Sequence, residues 1–570
     1  MAFASPFLVL LLAAFSLSVQ VVVAHQKCRP DSISLPHDVL PGASIIDLQV
    51  SEIESRNVAE PAGFFDGGVV EATCEIVVSY IYPGTNSSKV DATIWLPNNW
   101  NGRFVGNGGG GWQCSMGPTM MVLPNQEGYA TAQTNGGFKG HPFAASYQLI
   151  SPGNPDKTAI EKLGYRAIHE MTVLGKEVVK LYYGKPAKTN IFQGCSTGGR
   201  QALMEASQYP EDYDGIVAGA PAARWNDFVV GALANQAVMS ESNYIPSPCE
   251  LSAINDAAVQ ACDGLDGMVD GVLARPDLCK FQASSVVGVE FKDDCIGGGG
   301  GVGKVTATGA KIMQRFIEGI YATNGEKVSS GFPWGTAVWS QMSHGNSKLD
   351  EMTGQRTFNP FVLPNQWVND LLFDGLKEVD YSRLTVDDVQ ALSIQSRLRY
   401  DYAMEPRSDL SAFKKRGGKL LTYHGIEDEI IPVYNSLQKY AHVRETMFPR
   451  DTTAVSIEKM QEFWRLFLLP GVQHCNPHEG SLGPKSTTAY RQVVRWVEDG
   501  IAPDRLESYQ SNPTYSNMCL WPSKPYWSNG QLECKDGIST WDAYPSPSEV
   551  ATKFIERLPS LLFLEQKKEL

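Results

Sequence analysis

The sequence predicts an α/β fold, and three observations predict it. From about residue 90 to 220, short apolar runs alternate with helical patterns, the signature of βαβ units. Within that region Gly194-Cys195-Ser196-Thr197-Gly198-Gly199 forms a G-x-S-x-G elbow directly after the apolar run Ile191-Phe192. The sheet pattern then lapses over residues 222–412 and resumes at Gly417–Tyr423. A serine elbow followed by a long insertion between two core strands is the pattern of an α/β-hydrolase core with a large inserted lid domain. Such an insertion covers the C-terminal edge of the sheet, where the nucleophile is displayed. The chain accordingly divides into residues 1–24 (signal peptide), 25–221 (first part of the core), 222–412 (lid) and 413–570 (second part of the core).

The elements follow in order. Residues 1–24 carry an apolar stretch, Phe7 to Ala14, and a small-residue cleavage site at Val22-Val23-Ala24, which predicts a secreted, extracellular protein. Ala92–Leu96, Arg103–Val105 and Tyr129–Thr134 read as strands. Ala159–Tyr183 reads as a helix, with apolar residues at Ile160, Leu163, Ala167, Met171, Leu174 and Val178. A strand over Thr189–Phe192 enters the elbow, a helix follows over Gly198–Gln208, and Tyr213–Ala218 is the next strand. After the lid come strands at Leu420–Tyr423 and Trp464–Leu468 and a helix over Thr487–Val497. No later segment has about 18 uninterrupted apolar residues, so no membrane span is expected. The net charge of -14 argues against a nucleic-acid partner. All 11 cysteines follow residue 24 and read as disulfides, with at least one left over. Asn86-Ser87-Ser88 is the sole N-x-S/T sequon and the expected glycosylation site. The terminal Lys567-Lys568-Glu569-Leu570 loosely matches an ER-retention signal but reads as an ordinary tail.

Ser196 needs a base and an acid. His474 follows a predicted strand, lies in a Gly/Pro-bounded loop and precedes Cys475. If Ser196 and His474 meet, their neighbours Cys195 and Cys475 come within disulfide range, about 7 Å between Cα atoms. Asp428 lies on the loop after strand Leu420–Tyr423, where a carboxylate can fix the imidazole tautomer. Glu427 and Asp401 are the alternative acids, and His424 reads as a hydrogen-bonded core or loop histidine. The oxyanion donors are expected at the Thr197 N–H and in the early loop Gly106-Asn107-Gly108-Gly109-Gly110-Gly111, with Gly109 the named residue. That loop lacks the Lys-Ser/Thr of a phosphate cradle.

Cys262-Asp263-Gly264-Leu265-Asp266-Gly267-Met268-Val269-Asp270-Gly271-Val272 is a third constellation. Asp263, Asp266 and Asp270 offer carboxylates, and Met268 and Val272 backbone carbonyls, to a hard cation such as Ca²⁺. The spacing departs from the EF-hand, and a solvated acidic turn explains the residues equally well.

Taken together these motifs resemble the tannase/feruloyl esterase family of secreted esterases. The resemblance runs through Gly194–Arg200, Tyr213-Asp214-Gly215-Ile216, the acidic loop, Gly418-Lys419-Leu420 with His424-Gly425 and Asp428, His474-Cys475, and Trp496-Val497. It implies an α/β-hydrolase core, a catalytic set on Cys195, Ser196, Asp428, His474 and Cys475, and a structural Ca²⁺ in the lid, held by Asp263, Asp266, Met268, Asp270 and Val272. Pairs Cys28–Cys74, Cys249–Cys295, Cys262–Cys279 and Cys519–Cys534 are expected beside Cys195–Cys475, leaving Cys114 free. The chain is more similar to fungal tannases, through Pro248-Cys249-Glu250-Leu251, Gly219-Ala220-Pro221-Ala222 and the tail around Trp521-Pro522 and Trp527. Gly297–Gly301 departs from tannases with a dibasic, cleaved loop, because the lid has no Lys-Arg pair. The expected activity is hydrolysis of galloyl esters and depsides of plant tannins, on a small or polymeric phenolic substrate. Release of hydroxycinnamates from cell-wall polysaccharide and a catalytically silent binding protein are the competing expectations.

Overall fold

The computed structural model describes residues 28–537, except 30, 32, 59–67, 84–87, 139–148, 296–297, 341, 351, 478–481, 486–487, 509–512 and 536. The expected signal peptide, the Asn86 sequon, Gly297 and the Lys567–Leu570 tail lie outside the described residues.

A nine-stranded sheet organises the molecule. Its strands are β1 (Ser44–Ile53), β2 (Thr73–Ile81), β3 (Val90–Pro97), β4 (Arg103–Asn107), β5 (Ala130–Thr134), β6 (Thr189–Cys195), β7 (Gly215–Gly219), β8 (Lys419–Gly425) and β9 (Trp464–Leu469). Their spatial order is β1-β2-β3-β5-β4-β6-β7-β8-β9. Strands β1, β2, β3 and β5 pair antiparallel. From β5 through β4, β6, β7 and β8 to β9 every pairing is parallel. The central strands are buried on both faces, as the continuous run Gly215-Ile216-Val217-Ala218-Gly219 requires. β1 and β2 were not expected from the sequence. β1 is a largely exposed antiparallel edge, whose alternation is a weaker signal than the apolar central runs, while β2 beside it is mostly buried but interleaves Thr73, Glu75 and Ser79 with its apolar residues.

Helix α1 (Ala167–Tyr183) continues a π-helical turn, Lys162–Arg166, and ends at Gly184, which is left-handed at φ 73°. The buried Arg200 guanidinium donates to the Leu163 and Gly164 carbonyls at 3.0 and 2.9 Å, so the irregular turn keeps its carbonyls bonded. Helix α2 (Thr197–Gln208) leaves the elbow.

β7 and β8 are sheet neighbours, from Gly215 opposite Lys419 to Gly219 opposite Tyr423, although roughly two hundred residues separate them. Among its described residues, that intervening chain adds only two-stranded ribbons and helices. Helix α3 (Pro248–Cys262) starts at a Ser247 cap with proline in its first turn, and α4 (Val386–Met404) starts at a Thr385/Asp388 capping box. The inserted segment shares one apolar core with the sheet. Trp112 from the glycine loop packs against Trp225 and stacks on Trp367, with centroids 5.6 and 6.0 Å away, and donates its indole N–H to Gln366. Helix α5 (Ala489–Asp499) closes the other face, its Val493 lying where any side chain at Gly215 would go. Among the described residues no helix is long and apolar enough to cross a membrane.

Candidate active site

Sequence forces the elbow into a strained turn. Ser196 holds φ 64° and ψ −123°, outside the helical and strand basins. The flanking glycines are required by close approach. A Cβ on Gly194 would stand 2.5 Å from the Gly198 carbonyl oxygen, and one on Gly198 2.7 Å from that of Gly109. The turn is held by Ser196 N–H to Gly219 O and Ala222 N–H to Ser196 O, both 3.0 Å. Ser196 is partly exposed while its neighbours on both sides are buried.

His474 reaches this turn through its neighbour. Cys475 is disulfide-bonded to Cys195, with Cα atoms 5.9 Å apart, so base and nucleophile sit on adjacent residues of one cross-link. His474 Nδ1 is 2.8 Å from Asp428 Oδ2. The other Asp428 oxygen accepts the Ile430 and Ile431 N–H groups at 3.0 and 2.7 Å. Burial opposes charge on Asp428, but His474 and the His424 hydrogen bond outweigh it and hold the carboxyl below its ordinary range. Burial likewise opposes charge on His474, and Asp428 reverses it, so the imidazole is raised above its usual value.

Of the alternative acids, Glu427 is directed to Gln473, at 3.3 Å, and Asp401 accepts the Asn226 amide at 2.6 Å. Neither holds the imidazole. His424 is fully buried, with Nδ1 2.7 Å from Ser436 Oγ and Nε2 2.9 Å from the Ile431 carbonyl.

Three neighbours were not foreseen. Glu429 is buried, accepts the His474 backbone N–H, and is pushed up to about 7 by burial and the Asp428 charge. The acidic triplet Glu427-Asp428-Glu429 was its signal. His344, from the inserted segment, packs under the acid loop with Nε2 2.8 Å from the Ile430 carbonyl. Burial depresses it to about 4, so it stays neutral and donates.

The third, Gln201, corrects one expectation. The Gly109 N–H donates to Gln201 Oε1 at 3.0 Å, and the Gly109 carbonyl accepts the Gly198 N–H at 2.8 Å. Gly109 therefore anchors the glycine loop to α2 and has no N–H to offer a substrate. Gln201 lies one turn into α2, on the face toward that loop, and spacing alone did not reveal its partner. At Thr197 the hydroxyl donates to the Gly111 carbonyl at 2.8 Å, and its N–H is at the first helical position, where no intrahelical acceptor exists.

All five expected cystine pairs are joined, with Cα separations of 5.4–5.9 Å, and Cys114 is a buried free thiol. Cys262–Cys279 closes the acidic loop. There Asp263 Oδ2 accepts the Gly271 N–H, Asp266 the Met268 and Ala274 N–H groups, and Asp270 the Val272 N–H and the Tyr515 hydroxyl. The remaining Asp263 oxygen is buried without a partner. Burial lifts the Asp266 carboxyl to about 6, and the Asp270 and Asp263 charges add to it. An orphaned oxygen among mutually repelling carboxylates fits a hard cation. The ligand atoms of the three carboxylates nevertheless do not all lie within 4.8 Å of one another. The loop is also not remote from the base: Val272 packs with Leu469 and Val472 and fills the space beside Gly471, in the loop that carries His474.

A family model described as "Tannase and feruloyl esterase" matches residues 74–539. A "Probable feruloyl esterase" of Arthroderma benhamiae is 32% identical over 538 residues, 93% of this chain and 96% of its own. A "Tannase" of Aspergillus oryzae is 28% identical over 547 residues, 87% and 91% of the two chains. Among solved structures, a tannin acyl hydrolase from Aspergillus niger superposes with a TM-score of 0.82 at 26% identity, covering 90% of this chain and 96% of that one. Feruloyl esterase B from Aspergillus oryzae shares the fold with a TM-score of 0.70 at 24% identity, over 89% and 99%.

Proposed function

This chain belongs to the tannase and feruloyl esterase family and is a carboxylic ester hydrolase, and from that premise we propose a secreted serine esterase that cleaves galloyl esters and depsides of plant tannins. The observation that carries the catalytic assignment is the Cys195–Cys475 bond, which ties the strained Ser196 turn to an imidazole already oriented by Asp428. With Nδ1 held by Asp428, Nε2 is the nitrogen left to serve Ser196. The Ser196 Oγ attacks the ester carbonyl while His474 takes its proton. His474 then returns the proton to the leaving alcohol, and water repeats the sequence on the acyl-enzyme. Asp428 keeps the tautomer and stabilises the imidazolium. The oxyanion is received by the Thr197 N–H and, in place of Gly109, the Gly110 N–H, which has no acceptor among the described residues.

Galloyl preference is supported by the closer superposition on a tannin acyl hydrolase. The hydroxycinnamate reading is favoured by the relative named a probable feruloyl esterase, at 32% identity. Secretion is supported by the apolar stretch Phe7 to Ala14 with a small-residue cleavage pattern after it, and by five cystines, which persist in oxidising compartments. The acidic loop would hold a structural Ca²⁺ through Asp263, Asp266 and Asp270 with the Met268 and Val272 carbonyls, supported by the orphaned Asp263 oxygen. The ion would neutralise the loop and stiffen its contact with the His474 loop. A serine-reactive phosphonate tests the catalytic assignment: adduct at Ser196 with loss of esterase activity is expected, and inactivation with the adduct elsewhere contradicts it.

A further inference from the structure

A second cluster of ligating side chains lies away from Ser196. Among the described residues, one trio of His, Cys, Asp or Glu brings its ligand atoms within 4.8 Å of one another: His169, Glu205 and Asp212. His169 is on α1, Glu205 near the end of α2, and Asp212 in the turn between α2 and β7. Glu205 is nine residues past Ser196, about 13 Å along the helix axis.

The trio is incompletely satisfied. Glu205 is 0% exposed, and neither of its oxygens has a hydrogen-bond donor. Its polar neighbour is the Asp212 carboxylate, a second acceptor. Two carboxylates in contact need a proton or a cation between them. Lys176 is the cation nearest the pair, at the outer limit of an ion pair with Asp212 and with no hydrogen bond to Glu205, whose oxygens stay without a donor. Lys176 lies 4.0 Å from Asp212 Oδ1 and donates to the Asp212 carbonyl, while Arg416 pairs with Asp214 at 2.9 Å and Glu211 at 3.3 Å. His169 Nδ1 stands 2.6 Å from Asp212 Oδ2, and its ring is stacked on Tyr209 with centroids 3.7 Å apart, which fixes the imidazole plane. The mouth is open: the His169 and Asp212 side chains are 31% and 13% exposed.

We propose that His169, Glu205 and Asp212 form a divalent transition-metal site, with zinc the best-matched ion. One imidazole nitrogen and two carboxylates suit zinc rather than calcium or magnesium, which take oxygen ligands. The ion replaces the His169–Asp212 hydrogen bond, neutralises the Glu205/Asp212 pair and leaves a coordination position for water at the exposed mouth. It braces α1 against the end of α2, the helix whose first turn displays Ser196, and takes no part in the ester chemistry. The site is separate from the all-oxygen lid loop.

The test is equilibrium dialysis of the full-length protein against Zn²⁺ in calcium-containing buffer, which keeps the lid loop out of competition, with Co²⁺ absorption as a second readout. The wild type is expected to retain one equivalent of zinc, and Co²⁺ to show a visible band of low-coordinate geometry. His169→Gln, at a partly exposed position, and Glu205→Gln, which mimics a protonated carboxyl, should each weaken zinc binding at least about tenfold, measured on variants whose circular dichroism matches the wild type. A wild type that binds no zinc, or a His169→Gln variant that binds it as tightly, overturns the proposal in favour of a proton shared by Glu205 and Asp212.

Discussion

Ser196 holds a backbone conformation that costs on the order of 1–3 kcal/mol, and the hydrogen bonds from Ser196 and Ala222 keep it there. The strain is spent on display: Ser196 is partly exposed where the residues on either side are buried. Ser196→Ala is expected to lower kcat by several orders of magnitude, up to roughly 10⁶-fold, because nucleophile, base and acid act as one unit. Steady-state kinetics with a folded variant checks this. The pH profile belongs to the same scale. His474 must be neutral to accept the Ser196 proton, and Asp428 and Glu429 hold its pKa above the ordinary value. Activity therefore rises with pH through that raised pKa. Glu429 is pushed up to about 7, and once charged it favours the imidazolium. Glu429→Gln removes that charge, so the acid limb of kcat/KM should shift to lower pH. An unchanged or upward-shifted limb contradicts the role given to Glu429. Ser196, His474 and Asp428 were legible because each lies at a fixed place relative to a strand end. The Gln201–Gly109 bond was not, because it depends on the rotation of α2 against a glycine loop far away in sequence.

Between elements, the longest cross-link has the largest expected effect. Cys195–Cys475 spans 280 residues and fastens the end of β6 to the loop after β9. In the chain-entropy model such a closure contributes up to about 5 kcal/mol. It also positions the base, so Cys195→Ser with Cys475→Ser should lose activity at temperatures where far-UV circular dichroism still reports a folded chain. Full activity in that double variant would show that the bond only stabilises. The acidic loop is a second connection, since Val272 packs against the segment before His474 and Tyr515 bonds Asp270. Chelating calcium is expected to lower the melting temperature, by linkage of about 2.7 kcal/mol at roughly 100 times the Kd. A melting temperature indifferent to calcium and chelator contradicts a bound structural ion. The central strands were legible as apolar runs between helical patterns. β1 was not, because one-sided burial dilutes the pattern at an antiparallel edge, and β2 was not, because polar Thr73, Glu75 and Ser79 interrupt its apolar residues.

Across the whole molecule, the inserted segment and the sheet share one buried apolar core. Trp112, Trp225, Trp367 and Tyr400 join the glycine loop to the inserted helices through ring contacts of 5.1–6.0 Å. The inserted segment was legible as the gap in the sheet pattern, whereas its aromatic contacts were not, since tertiary packing brings together tryptophans widely separated in sequence. Under the proposed function the nucleophile, acid and base lie at the ends of core strands, and the inserted segment is expected to discriminate among acyl groups. A pocket built to hydrogen-bond the three hydroxyls of gallate rejects analogues lacking them by roughly 10⁴–10⁵. The most direct measurement is kcat/KM of the purified enzyme on methyl gallate and methyl ferulate under identical conditions. Strong preference for methyl gallate is the predicted result; comparable values, or preference for methyl ferulate, would contradict the galloyl assignment.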